Sequence, residues 1–231
     1  MTILGNTLFA GDSITVGLKP FVDVAGEKIE VAKGGQSSAA LLAMIRAEET
    51  KGTLARVKNM IVLAGTNDIG SSLAPQAIFG NLQAIYRIGR DHQIRVIALT
   101  IPPAKGYAGW KGRDDEVDAR RRLVNGLIMT STLPDQVVDL DKIMQSSPGS
   151  GKLAPLFDSG DHLHPRKDKM GEALNLVVAT TAQKERDNSS PNAPSPPRQN
   201  FSDSITVKNA ALVTAAGVGI WRGLKWWRDR S

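Results

Sequence analysis

Residues 8–17 read LFAGDSITVG, an apolar run that stops after Ala10 at Gly11-Asp12-Ser13 before a second apolar stretch begins. Gly, Asp and Ser are turn formers for separate reasons: glycine accepts positive φ, and the short polar side chains bond nearby backbone. A strand ending on such a turn is also where an α/β protein can place a nucleophile. Taken alone, Ser13 reads as a turn residue or helix N-cap, so the choice rests on what the other strands carry at their ends.

Working outward, Ile- and Val-rich runs recur at residues 3–10, 28–32, 59–65, 94–101 and 136–140. Between them lie helical patterns over residues 37–49, 75–92, 115–131 and 166–184. In the second of these, Ile78, Leu82, Ile85 and Ile88 share a face, and Pro75 suits a first helical turn. Alternating strands and helices predict a parallel sheet covered on both faces and reached by right-handed crossovers, that is, a three-layer α/β/α sandwich. Such sheets bind ligands beyond the C-terminal ends of their strands, near a switch in strand order. Functional residues are therefore sought where each strand stops.

The 231 residues are 41% apolar, enough to bury a core, and the absence of cysteine excludes disulfides, thiolate metal sites and a cysteine nucleophile. Net charge is +6, but it is localised: Lys208, Arg222, Lys225, Arg228 and Arg230 against Asp229 place +4 of it from residue 204 on. The body is close to neutral, so its charge alone does not call for an acidic polymer as partner. No basic segment followed by a long apolar stretch and a small-residue cleavage site opens the chain, so a Sec signal is not expected.

Following the strands out, the first delivers Gly11-Asp12-Ser13, the second Lys33-Gly34-Gly35-Gln36-Ser37-Ser38 and the third Gly65-Thr66-Asn67-Asp68. After the fifth comes Asp161-His162-Leu163-His164-Pro165, just ahead of the last helical pattern. Together these residue types suit acyl transfer. A serine hydroxyl needs a base within hydrogen-bond reach, the base needs a partner that fixes its tautomer, and the oxyanion needs donors already in place. On this reading Ser13 attacks, His164 carries the proton and Asp161 orients the imidazole. The Ser13 backbone N–H, a glycine N–H of the second loop and the Asn67 side-chain amide receive the oxyanion.

GDSIT, a glycine loop, GTND and DHLHP, in that order, resemble the four blocks of the SGNH (GDSL-type) hydrolase superfamily across residues 1 to about 184. The resemblance implies a compact, five-stranded, flavodoxin-like parallel sheet of strand order 2-1-3-4-5, a serine esterase with Ser13, Asp161 and His164 as its triad and Asn67 as an oxyanion donor, and no cofactor. One block departs from the family pattern. KGGQSS carries its glycines early, so Gly35 is taken as the second-block oxyanion donor, with Ser38 as the alternative because any residue tolerating the loop can present its N–H.

Other chemistries fit these residues less well. Asp12, Asp68, Asp161, His162 and His164 are possible metal ligands near strand ends, but the first loop has no Asp-x-His pair and GTND no following histidine, which argues against a metal-dependent phosphoesterase. A flavin binder lacks the aromatic residues to sandwich the ring, and GSGKL misses the P-loop spacing. A binding module that kept the fold and uses its cleft for carbohydrate is the non-enzyme alternative. His162 is expected to face solvent, His92 to complement a helix C-terminus, and Arg120, Arg121 and Arg122 to form a solvated helix face. In the loop at 102–116, Tyr107 and Trp110 are read either as a stacking surface for a sugar ring or as packed surface residues.

The expected substrate is a small acyl ester or an acetylated glycan. After residue 184, four of the twelve prolines fall among Ser and Asn, predicting a flexible linker over 185–204. Residues 205–231 then hold three of the four tryptophans and the basic cluster, resembling an interfacial anchor that meets a membrane surface or a partner protein. Nucleic acid is not expected there. The location this implies is cytoplasmic, or peripheral to a membrane or assembly through the tail.

Overall fold

The computed structural model describes residues 2–189, and the expected linker and tail lie outside the described residues apart from the first part of the linker. Met1–Lys184 form a compact unit. Its main sheet is built from β2 (Thr7–Gly11), β4 (Lys28–Ala32), β5 (Asn59–Leu63), β6 (Arg95–Leu99) and β7 (Gln136–Val138), all parallel, in the spatial order β4-β2-β5-β6-β7. Counted as main strands, this is the order 2-1-3-4-5 that the resemblance implies.

Strand composition explains the layering. Every residue of β2 and β5 is buried, as in a sheet covered on both faces. Successive side chains point to opposite faces. Leu8, Ala10, Met60, Val62, Val96 and Ala98 pack under α1 (Ser38–Thr50), α3 (Pro75–Asp91) and α4 (Asp114–Met129). Phe9, Ile61, Leu63, Ile97 and Leu99 pack against α5 (Leu140–Met144) and α6 (Lys167–Ser189). The apolar face of α3 holds Ile78, Leu82 and Ile85 fully buried, and Pro75 opens that helix as expected.

The first strand run breaks at Gly5-Asn6. Ile3–Leu4 (β1) leave the main sheet and pair in parallel with β3 (Val24–Ala25), while Asn59 reaches across to bond the Leu4 carbonyl. Short α2 (Thr66–Gly70) and α5 begin directly at strand ends. Arg121 departs from its expected place on a solvated face. It is 1% exposed, with its guanidinium between Asp118 (2.7 Å) and Asp141 (2.6 Å) and bonded to the Ile101 carbonyl. The α4 helix turns this side inward, and a buried guanidinium is tolerable only when its donors meet carboxylates and carbonyls. Arg122 is half exposed and caps the same network through Asp118.

Candidate active site

Four strand-end segments meet above the switch between β4, β2 and β5. At the first, Gly11 allows a passage no other residue would fit: a Cβ there would lie 2.0 Å from Thr15 Oγ1 and 2.5 Å from the Leu63 carbonyl oxygen. The chain then folds tightly, with the Asp12 carbonyl accepting the Thr15 and Val16 amides and its Oδ1 accepting the Ile14 amide at 2.9 Å. Ser13 is left half-buried at the crown of this turn.

At the second, Gly35 adopts φ +74°, the left-handed region that glycine enters freely. A Cβ on neighbouring Gly34 would lie 4.0 Å from that of Ser13, so the two loops face each other. The Ser38 N–H, the alternative donor, is engaged elsewhere. It bonds Asp68 Oδ2 at 2.8 Å while its hydroxyl bonds Asp68 Oδ1 at 2.9 Å and accepts from Asn81, which locks the second loop to the third. Asn67, in the first turn of α2, gives one amide hydrogen to the Gln36 carbonyl at 2.9 Å, leaving the other for a ligand.

The fourth segment closes on itself. Asp158 and Pro165 form an antiparallel bridge, and the Arg166 amide bonds the Phe157 carbonyl at 2.7 Å. Inside this loop Asp161 Oδ1 accepts the Leu163 and His164 amides, and its Oδ2 faces His164 Nδ1 at 2.6 Å. His164 Nε2 stands 2.9 Å from Ser13 Oγ, across 151 positions of chain. Burial works to raise the Asp161 pKa, but the ring and amide hydrogen bonds outweigh it and hold the carboxyl at about 2. A carboxylate that stays ionised at neutral pH, facing Nδ1, favours the tautomer with its hydrogen there and leaves the Nε2 lone pair for the serine hydroxyl. Chemically, a hydroxyl, an imidazole and a carboxylate so linked can generate an alkoxide nucleophile and return its proton.

Two residues that shape the Ser13 turn have an environment the sequence does not show. Asp12 is completely buried, its Oδ2 has no hydrogen-bond partner among the described residues, and burial pushes its carboxyl up to about 6 despite the Ile14 amide and the nearby Lys167 cation. Lys167, the first residue of α6, reaches back over the turn and donates to the carbonyls of Ser13, at 2.8 Å, and Ile14. Its own pKa is lowered by burial. The sequence offers Asp12 only as a turn residue or possible metal ligand and gives Lys167 no role; the tertiary approach of α6 to the first turn is what distinguishes them.

Trp110 does not stand free as a stacking platform. Its ring packs against the core and approaches Gly70, where a Cβ would be 2.7 Å from Nε1, and it meets Tyr107 edge-on at 5.3 Å. The packed reading of this loop is thus the one found for Trp110. His92 caps α3 and pairs with Glu49 at 2.8 Å. His162 is exposed, as expected. Among the described residues no cluster of three or more His, Cys, Asp or Glu side chains could hold a metal ion, so Asp12, Asp68, Asp161, His162 and His164 do not converge as ligands.

A family model of the GDSL-like lipase/acylhydrolase family matches residues 9–168, which span all four strand-end segments. The chain belongs to that family. Its fold is shared with a GDSL-like lipase from Bacteroides thetaiotaomicron (TM-score 0.60, 19% identity, covering 78% of this chain and 89% of that one). It is also shared with the lipase/acylhydrolase from Enterococcus faecalis (0.56, 18%, 78% and 97%) and an acetyl xylan esterase (0.53, 16%, 75% and 98%). At these identities the likeness establishes the fold alone. No curated protein matches the chain in sequence. As a member of an acylhydrolase family, the chain is esterase-like in class.

Proposed function

We propose that this protein hydrolyses carboxyl esters of acetyl or other short acyl groups, including those carried on carbohydrate, through a serine acyl-enzyme. The observation that carries the reading is the run Ser13 Oγ, His164 Nε2 and Nδ1, Asp161 Oδ2, joined by contacts of 2.9 and 2.6 Å. Ser13 attacks the ester carbonyl as His164 takes its proton, and Asp161 stabilises the resulting imidazolium. The tetrahedral oxyanion is met by the backbone N–H groups of Ser13 and Gly35, neither of which has a backbone partner among the described residues, and by the second amide hydrogen of Asn67. Collapse expels the alcohol, which receives its proton from His164. A water then attacks the acyl-Ser13 ester with His164 again as base, releasing the acid and the free hydroxyl.

The test is hydrolysis of p-nitrophenyl acetate by the purified chain and by Ser13→Ala, each with and without a metal chelator. The expected result is activity that survives chelation and falls by roughly a thousandfold or more in Ser13→Ala, with the fold intact by circular dichroism. Activity indifferent to the substitution but lost to chelator would overturn the serine assignment.

A further inference from the structure

The loop that carries Asp161 and His164 holds a second imidazole–carboxylate pair that the proposed hydrolysis does not use. His162 Nδ1 lies 2.5 Å from Asp158 Oδ2, and Asp158 Oδ1 accepts the Gly160 amide at 2.8 Å and the His162 amide at 3.0 Å. His162 sits at φ +64°, a left-handed conformation disfavoured for residues with a Cβ. Glycine would make this turn without strain. Two amide bonds to Asp158 Oδ1 hold the turn through its backbone, and the ring adds a bond to Oδ2. Observed strain beside a reactive site is a pointer to function.

The ring is placed to be used. Its side chain is 57% exposed, and Gly106 of the neighbouring loop lies along its flank, where even a Cβ would touch the ring at 3.7 Å. Although burial alone would raise the Asp158 pKa, the Gly160 and His162 amides and the His162 ring together hold it below the ordinary carboxylate value, so Asp158 is ionised and keeps the hydrogen on His162 Nδ1. With Nδ1 engaged by Asp158, Nε2 of this exposed ring has no hydrogen-bond partner among the described residues and lies two residues from His164 in the same closed loop.

We propose that His162 is a specificity-determining residue whose Nε2 accepts a hydrogen bond from a hydroxyl of the alcohol half of the ester, selecting polyhydroxylated alcohols such as partly acetylated sugars over simple alkyl or aryl esters. This rests on the ester-hydrolase reading and names the substrate class for it. Because Asp158 holds the rotamer before substrate arrives, little side-chain freedom is lost on binding.

The experiment compares kcat/KM on a monoacetylated methyl xyloside, which keeps free hydroxyls, with that on p-nitrophenyl acetate, which has none, for the native chain, His162→Gly and His162→Gln. In His162→Gly the ratio of the two is expected to fall about three- to tenfold, the loss of one neutral hydrogen bond, carried by KM on the glycoside. His162→Gln, which retains an acceptor, is expected to recover part of it. Thermal stability of His162→Gly should change little, since relief of the left-handed φ offsets loss of the ring's bond to Asp158. A ratio that stays within twofold, or an equal loss on both substrates, would overturn the assignment. So would a native chain that turns over p-nitrophenyl acetate through Ser13 but discriminates against the monoacetylated glycoside. Native activity that does not depend on Ser13 would instead defeat the underlying reading, so the two failures are distinguishable.

Discussion

Asp12 precedes the proposed nucleophile with a carboxyl entirely out of solvent, and its pKa of about 6 lies above the ordinary 3.8 because burial penalises the charged form. The sign of the consequence follows from linkage. The folded state holds this proton more tightly than the unfolded chain, so its stabilising contribution is complete below pH 3.8 and is lost as pH rises to about 6. That interval corresponds to about 3 kcal/mol. Asp161 acts in the opposite sense and lower down: held at about 2, it stabilises the fold above 3.8, and that contribution fades as pH falls towards 2. Asp12→Asn keeps the acceptor for the Ile14 amide but cannot ionise. Urea unfolding of this variant is expected to show no loss of stability between pH 4 and 6 where the native chain loses it, and a gain of about 1–3 kcal/mol at pH 7. A variant less stable than the native chain at pH 7 would contradict this account. Ser13 and Asn67 stood out as candidates in the sequence because each follows a strand end, and Asp161 and His164 because their block lies just ahead of the last helix in the order the family resemblance implies. The environment of Asp12 was not legible, because full burial of a turn acid depends on which distant segment closes over it.

Among the elements, strands and long helices could be read from apolar periodicity, with ends displaced by only a few residues. Three features could not. Helices α2 and α5 have five residues each, too few for a 3.6-residue period to register. The break at Gly5-Asn6 sits in a run of strand-forming residues, and it takes the pairing of β1 with β3 to reveal it. The inward side of α4 was hidden because three consecutive arginines look uniformly solvated, whereas Asp118 and Asp141 give Arg121 a buried destination. The start of α6 matters most for chemistry. Lys167 fastens the carbonyls of Ser13 and Ile14 to the helix that begins three residues after His164, so the hydroxyl and the imidazole are tied together by a route other than their mutual hydrogen bond. Lys167→Met retains the methylene packing and removes the clamp. Its kcat on p-nitrophenyl acetate is expected to fall about ten- to hundredfold with KM little changed, and Lys167→Arg to recover part of the rate. An effect confined to KM, or no effect, would count against a positioning role.

For the whole molecule, the parallel sheet brings residues separated by up to 154 positions to one edge, and the family match spans that entire assembly. Residues 205–231, outside the described structure, carry most of the net charge and three tryptophans, and we propose that they attach the enzyme to an anionic lipid surface. Co-sedimentation with phosphatidylserine vesicles is expected in low salt, with release at roughly 1 M salt as the charges are screened. Binding equal on neutral vesicles, or none at all, would contradict this. No helix among the described residues is long and apolar enough to cross a membrane. The claim on which the account turns is that Ser13 becomes covalently acylated. The most direct measurement is mass spectrometry of peptides from the chain treated with a fluorophosphonate, with hydrolysis of p-nitrophenyl acetate followed in parallel. The account predicts one adduct, on Ser13, appearing in step with loss of activity; an adduct at another residue, or hydrolysis that continues with Ser13 fully labelled, would contradict it.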